Sequence, residues 1–121
     1  MNKAQVIKKL GGPSAMEWGD WPLPDPGEGD VQIKHTAVGV NYADTYHRSG
    51  IPHPWPVPNP PVVIGFEGVG IVQGCGKGVI GFKEGDRVAY GIPPLGSYSE
   101  ARNYPADKLL QLPENLEEKK V

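Results

Sequence analysis

Glycine and proline interrupt this sequence so often that they limit the structures it can form. The 17 glycines and 14 prolines make up about a quarter of the 121 residues. Proline fixes φ and lacks a backbone N–H, and glycine weakens regular elements, so both residues favour turns. Hydrophobic residues still make up 38% of the chain, and they lie in short runs between the glycines and prolines. The pattern therefore predicts one turn-rich, mainly β domain and not a disordered chain.

Charge and cysteine content exclude several classes of protein. Twelve basic and 14 acidic residues give a net charge of −2, without the basic face that nucleic acid requires. No apolar stretch approaches the length of a membrane span, and the first ten residues lack the apolar core of a signal peptide. Cys75 has no second cysteine to pair with, which is compatible with a reducing compartment. We expect a cytoplasmic protein with no nucleic-acid or membrane partner.

Alternating apolar and polar residues predict several short strands. The clearest run is 31–40, where Val31 and Ile33 alternate with polar neighbours. Residues 62–72 read as one buried strand, bent at its glycines as in a small, sharply curved barrel. The remaining strands are expected at 4–10 (an edge strand), 17–21, 87–90, 96–101 and 109–112.

Two segments have the composition of other structures. Residues 42–49 contain no glycine or proline and are followed by Gly50, which predicts a short helical turn that ends at a glycine. Residues 51–61 hold six prolines and predict an extended surface loop. Asn115, with Glu118 three residues later, resembles the start of a helix. We therefore expect a domain at 1–113 and either the start of a linker helix or a frayed tail at 114–121.

The best-known phosphate and metal motifs are absent or misplaced. Gly76, Gly78 and Gly81 satisfy G-x-G-x-x-G, but no helix fits before the next turn, so the match is rejected as a dinucleotide fingerprint. Cys75 lies between glycines with no activating base in sight, which favours an inert side chain. Metal-ligand spacing is missing among the histidines, and we expect no bound metal; the histidines are His35, His47 and His53.

The densest group of hydrogen-bonding side chains follows the clearest strand, at 41–48. If this segment is helical, Asp44 and Arg48 lie four residues apart, where opposite charges meet. Tyr42 and Tyr46 share a face by the same spacing. Polar clusters of this kind on a β scaffold form functional sites, but they also occur as a surface helix with one ion pair. Spacing alone leaves both interpretations open.

Four ordered motifs resemble one family. They are GVNYADTYHRSG at 39–50, PVVIGFEGVGIV at 61–72, FKEGDRV at 82–88 and GSYSE at 96–100. Together with GGP at 11–13 they resemble the zinc-free quinone oxidoreductases of the medium-chain dehydrogenase/reductase superfamily. The resemblance implies a GroES-like, strongly bent β-barrel with short helical turns. In the family a Rossmann domain follows and binds most of the nicotinamide cofactor, and this sequence lacks it.

The resemblance also implies the chemistry. Zinc-dependent relatives have a Cys where this chain has Asn41 and a His where it has Phe66, so no zinc is expected. Without a Lewis acid, hydride transfer from NADPH suits an acceptor that is already electron-poor, such as a quinone or an electron-poor carbonyl compound. The full-length protein is expected to be a homodimer, as in the family.

Site roles follow from the same resemblance. Asn41 and Tyr46 are the expected catalytic residues, which donate hydrogen bonds to the acceptor oxygen that gains charge. The expected cofactor contacts are Asn41, Tyr42, Asp44, Tyr46 and the buried Glu67. The expected substrate contacts are Arg48, placed against Asp44 or at the pocket mouth, and His53 and Trp55 in the proline-rich loop.

Two other functions remain open. One is a zinc-free reductase of enoyl or alkenal double bonds from the same superfamily. The other is a GroES-like module that binds a partner without catalysis, for which the polar segment at 41–48 would have no function.

Overall fold

The computed structural model describes residues 2–51 and 57–113, and most of its regular structure is β. Within these residues there is one α-helix, α1 (Ala43–Ser49), and two short 3-10 helices, Pro13–Ala15 and Ala106–Lys108. The strands are β1 (Lys3–Ile7), β2 (Met16–Asp20), β3 (Asp30–Val38), β4 (Val62–Val63), β5 (Gly68–Cys75), β6 (Arg87–Tyr90), β7 (Ala101–Pro105) and β8 (Leu110–Gln111). The mainly β prediction is confirmed. No helix of the described segments is long and apolar enough to cross a membrane.

The strands form two antiparallel sheets that meet along one connecting segment. The first sheet has the order β2-β1-β4 and the second β7-β3-β5-β6-β8. Residues 96–100 join them, because Gln5 N donates to Tyr98 O at 2.8 Å and Glu100 N donates to Lys3 O at 2.9 Å. The register of β3 against β5 shifts at two points along β3, as expected where bulges bend a sheet.

Separate groups of buried side chains stabilise the two sheets. The second sheet has the larger core, formed by Val31, Ile33, Val72, Val88, Tyr90, Tyr104 and Leu109. The first sheet has two small clusters: Ala4, Val6 and Val63, and Ile7, Val62 and Ile64. The half-buried ring of Tyr98 packs against both small clusters. Tyr98 is therefore anchored to the first sheet although it lies close to the start of β7.

Two strand predictions are wrong because pairing partners are remote in sequence. The expected edge strand at 4–10 is β1, which pairs with both β2 and β4 and so lies in the centre of its sheet. The expected single strand at 62–72 is two strands in different sheets, β4 and β5. Gly65 lies between them with φ of +97°, a left-handed conformation that ends an extended strand.

The region after residue 75 also differs in part from expectation. The strand expected at 96–101 begins only at Ala101, because Gly96 has φ of +145° and residues 97–100 form the connection between the sheets. Gly78 and Gly81 lie in turns with φ of +83° and +92°, and no helix begins there. This confirms the rejection of the G-x-G-x-x-G match. The helix expected from residue 114 lies outside the described residues, so the proposed domain boundary stays a prediction.

Candidate active site

Helix α1 presents the polar segment beside the end of β3. Gly50 follows the helix with φ of +82°, and its N–H donates to the Tyr46 carbonyl at 2.9 Å. This left-handed C-cap is the ending that the sequence predicted. The helix therefore holds Asp44 beside the segment that connects the two sheets, where it contacts Tyr98.

Asp44 is the buried centre of this segment, with only 3% of its surface exposed. Its Oδ2 accepts the Asn41 backbone N–H at 3.0 Å and also accepts the Tyr98 hydroxyl. Its Oδ1 has no hydrogen-bond partner among the residues that the structure describes. In a buried carboxylate it is rare for one oxygen to accept two hydrogen bonds while the other accepts none, because buried polar atoms normally have partners.

Arg48 lines the same cleft as Asp44 but forms no ion pair with it. Its Nε donates to the Gly11 carbonyl at 3.2 Å, and the ion pairs between described residues are Lys3–Asp20 and Lys8–Glu17. Of the two placements expected for Arg48, the structure shows the one beside a cleft. The Tyr98 hydroxyl, and not the Arg48 guanidinium, donates to the Asp44 carboxylate.

A cleft of about 300 Å³ lies between α1 and the first sheet. Its polar lining comes from Gln5, Asn41, Asp44, Thr45, Arg48 and Tyr98, and its apolar lining from Met16, Val40 and Ile64. The side-chain amide nitrogen of Asn41 is buried and has no hydrogen-bond partner within residues 2–51 and 57–113. Two residues that line the cleft thus each carry a buried polar atom without a partner among the described residues, the Asn41 side-chain nitrogen and Asp44 Oδ1.

The tyrosines of the segment lie elsewhere. The rings of Tyr42 and Tyr46 contact each other edge to face, with centroids 5.5 Å apart, which confirms that they share a face. Tyr42 is 77% exposed. Neither tyrosine lines the cleft that holds Asn41 and Asp44. The structure thus brings together Asn41, Asp44 and Arg48 but places the Tyr46 ring against Tyr42.

Glu67 lies beside the start of the same segment, but not as the sequence suggested. It precedes β5 and is half-buried, whereas we expected it to be buried by a glycine-rich strand. Its side chain lies against Gly39, two residues before Asn41. The expected substrate contacts His53 and Trp55 fall outside the described residues.

Tyr98 is the residue of the cleft to which sequence reasoning assigned no role. Burial and the hydrogen bond to Asp44 raise the pKa of Tyr98 well above its usual value, so its hydroxyl stays protonated and donates. The only signal in the sequence was its position in the GSYSE motif. Tyr98 and Asp44 are 54 positions apart in the sequence, so local residue spacing does not predict their contact.

The other candidate groups have structural partners. His35 Nδ1 is 2.8 Å from the Ser99 carbonyl and its Nε2 is 2.7 Å from the Tyr90 hydroxyl. Partial burial and nearby carboxylates raise the pKa of the Cys75 thiol, which disfavours the reactive thiolate. Within the described segments no group of three or more His, Cys, Asp or Glu side chains is placed to hold a metal ion.

Comparison with known proteins identifies the family. Residues 27–114 match the family model of the alcohol dehydrogenase GroES-like domain. The chain belongs to this family. The GroES-like domain is 49% identical over 117 residues to 2-haloacrylate reductase of Burkholderia sp, which covers 97% of this chain and 35% of that protein. It is 42% identical over 117 residues to quinone oxidoreductase of Pseudomonas aeruginosa, again covering 97% of this chain and 35% of the relative.

A solved structure agrees. The crystal structure of Escherichia coli quinone oxidoreductase complexed with NADPH superposes with a TM-score of 0.89 at 37% identity, covering 99% of this chain and 36% of that one. The predicted resemblance to quinone oxidoreductases and the GroES-like fold are thereby confirmed. The GroES-like domain spans about a third of the length of the curated relatives it matches.

Proposed function

We propose that the complete protein transfers a hydride from NADPH to a small electron-poor acceptor, a quinone in the first instance, without zinc. The names of the relatives support an oxidoreductase. The observation that carries the proposal is the buried amide nitrogen of Asn41, which has no partner among the described residues and belongs to a residue lining the cleft beside α1.

The side-chain amide of Asn41 is the hydrogen-bond donor that we propose for the acceptor. A buried donor without a partner costs about 1–3 kcal/mol, so proteins seldom keep one without a use. The Asn41 backbone N–H donates to Asp44, so the Asn41 side chain is not needed to fix the backbone there. When a carbonyl acceptor gains negative charge on its oxygen, a donor fixed in advance stabilises that charge. Tyr46 stays proposed as a second donor, although its ring lies against Tyr42 and outside this cleft.

The cleft also suits part of a nicotinamide cofactor. A carboxamide pairs with one donor and one acceptor, and two residues that line the cleft, Asn41 and Asp44, carry a buried donor (Nδ2) and a buried acceptor (Oδ1) that lack partners among the described residues. NADPH, when bound, supplies the hydride. The residues that we propose hold it on this side are Asn41, Tyr42, Asp44, Tyr46 and Glu67, with Arg48, His53 and Trp55 nearer the acceptor.

The proposal that no zinc takes part rests on the side chains at two positions. Asn41 and Phe66 stand where the zinc-dependent relatives have a Cys and a His, and a phenyl ring offers no metal ligand. Because no Lewis acid polarises the acceptor, the acceptor itself must be electron-poor. This favours quinones over the simple alcohol–ketone pair.

A second candidate is the reduction of an activated carbon–carbon double bond. It is favoured by the 49% identity to 2-haloacrylate reductase, since a haloacrylate is an electron-poor alkene. The same donors would stabilise charge on the carboxylate or carbonyl group conjugated with that double bond.

A substrate panel on the complete protein tests these alternatives. NADPH and NADH oxidation would be measured with 1,4-benzoquinone, 2-chloroacrylate and a simple enone. The proposal expects benzoquinone to be reduced with NADPH. Reduction of the acrylate or enone alone would establish the second candidate. Absence of activity with every pair would favour the non-catalytic binding module, for which Asn41→Ala and Tyr46→Phe leave function unchanged.

We further propose that residues 114–121 begin a helix toward a Rossmann domain that binds most of the cofactor. The complete protein would form a homodimer through that domain and act in the cytoplasm. Sedimentation of the complete protein tests the dimer. Deletion of everything beyond residue 113 should abolish NADPH binding if the Rossmann domain binds most of the cofactor.

A further inference from the structure

Two groups from distant parts of the chain share one oxygen atom of Asp44. The hydroxyl of Tyr98 and the backbone N–H of Asn41 both donate to Asp44 Oδ2. Since Asp44 is buried, water does not substitute readily for either donor. The position of this oxygen therefore links Tyr98 to the backbone that holds the Asn41 side chain.

Tyr98 is fixed independently of helix α1. Its N–H donates to Ile64 O at 3.0 Å and its carbonyl accepts Gln5 N at 2.8 Å. Its ring packs against the clusters that contain Val63 and Ile64. The ring is thus held by the first sheet, and its hydroxyl donates to Asp44 of α1.

The chain leaves room for this ring at one glycine. A Cβ atom on Gly65 would lie 2.1 Å from Ser97 Oγ and 2.5 Å from the Tyr98 ring. Gly65 also has φ of +97°, a conformation that other residues rarely adopt. Any side chain at Gly65 would require Ser97 and the Tyr98 ring to move.

Arg48 does not orient the Asp44 carboxylate as Tyr98 does. Although it lies four residues from Asp44, its Nε is engaged by the Gly11 carbonyl. Among the described residues, the side chain that fixes the Asp44 carboxylate from outside the helical segment is Tyr98.

We propose that Tyr98 is a positioning residue for hydride transfer. Its hydroxyl orients the Asp44 carboxylate, which holds the Asn41 backbone and so keeps the Asn41 amide in its productive place. This inference rests on the proposed function, because the importance of that placement depends on Asn41 acting as a donor. Misplacement of a reacting or stabilising group by about 1 Å can lower the rate on the order of 100-fold.

The test uses Tyr98→Phe in the complete protein, with Tyr104→Phe as the matched control. Tyr104 is also a tyrosine with a bonded hydroxyl, but it donates to Ile92 O at 2.8 Å in the core of the second sheet. We expect Tyr98→Phe to lower kcat with 1,4-benzoquinone by about tenfold or more, with a much smaller change in KM. Tyr104→Phe should keep kcat within about twofold. Equal losses of kcat in the two variants, or none in Tyr98→Phe, would overturn the proposal.

A double variant separates positioning from general damage. If Tyr98 acts through Asn41, adding Tyr98→Phe to Asn41→Ala should change kcat by less than about twofold, because the two effects are coupled. Multiplication of the two separate losses would show that Tyr98 acts independently, which contradicts the proposal.

Hydrogen exchange of the Asn41 backbone N–H, the group that donates to Asp44 Oδ2, tests the link without any turnover. We expect this amide to exchange about tenfold faster or more in Tyr98→Phe than in the wild type or in Tyr104→Phe. Unchanged exchange would overturn the positioning role. If the wild type reduces no acceptor, the proposed function fails on that result alone, and the exchange rate still decides whether Tyr98 holds Asn41 through Asp44.

Discussion

The carboxylate of Glu67 lies so close to Gly39 that a Cβ atom there would fall 1.7 Å from Glu67 Oε1. The backbone N–H of Gly39 also donates to the Glu67 carbonyl at 3.2 Å. Gly39 directly follows β3, which ends at Val38, and Asn41 follows two residues later. The absence of a side chain at Gly39 therefore lets a carboxylate lie against the backbone that leads into the candidate active site.

Gly39→Ala should force Glu67 out of its position. We expect the free energy of unfolding to fall by about 1–3 kcal/mol, the usual cost of inserting a methyl group into a packed site. Chemical denaturation measures this loss. The double variant Gly39→Ala/Glu67→Ala should be more stable than Gly39→Ala alone, because the clash is removed. Gly19→Ala is the control, since a Cβ on Gly19 meets no atom within 4 Å. A double variant no more stable than the single one would show that Glu67 does not make Gly39 necessary.

Local patterns predicted the elements that local interactions determine. Helix α1 and its end at Gly50 follow from a segment without glycine or proline and from one left-handed residue. The strand β3 follows from its alternation. The division of 62–72 between two sheets, and the central place of β1, depend on partners far along the chain. For the same reason the contact of Tyr98 with Asp44 had no signal beyond a motif, and the ion pair of Asp44 with Arg48 suggested by spacing did not form.

Gly65→Ala should be the more damaging glycine substitution. The added methyl meets Ser97 Oγ and the Tyr98 ring, and the positive φ of Gly65 costs a further 1 kcal/mol or so. We expect the free energy of unfolding to drop by about 2–4 kcal/mol, measured by urea denaturation. Gly12→Ala, at a site with nothing within 4 Å of the added Cβ, should change it by less than about 1 kcal/mol. A loss at Gly65 no larger than at Gly12 would contradict the packing described for Tyr98.

His35 should make stability depend on pH. Its Nδ1 donates to the Ser99 carbonyl, because a carbonyl oxygen can only accept, and in the neutral ring Nε2 then accepts the Tyr90 hydroxyl. Burial, together with the nearby Arg102 charge, lowers the pKa of His35 from 6.5 to about 4. Between these two values the unfolded chain binds the proton more tightly than the folded one. The free energy of unfolding therefore falls as pH decreases through this window, by about 3 kcal/mol in total from this group.

The His35→Gln variant measures that contribution. Denaturation at pH 7.5, 5.5 and 4.5 should show a shallower decline in the variant than in the wild type, whatever its stability at pH 7.5. Equal slopes for the two proteins across this range would mean that His35 is not held neutral in the fold.

The central claim is that the Asn41 amide assists hydride transfer from NADPH without zinc. Its most direct measurement is the rate of NADPH oxidation with 1,4-benzoquinone by the complete protein after exhaustive chelation, for the wild type and Asn41→Ala. We expect the chelated wild type to keep its full rate, and Asn41→Ala to lose kcat by about 100-fold, as for removal of one donor to a developing oxyanion. A wild type that loses activity on chelation and regains it with zinc, or an Asn41→Ala variant as fast as the wild type, would contradict the claim.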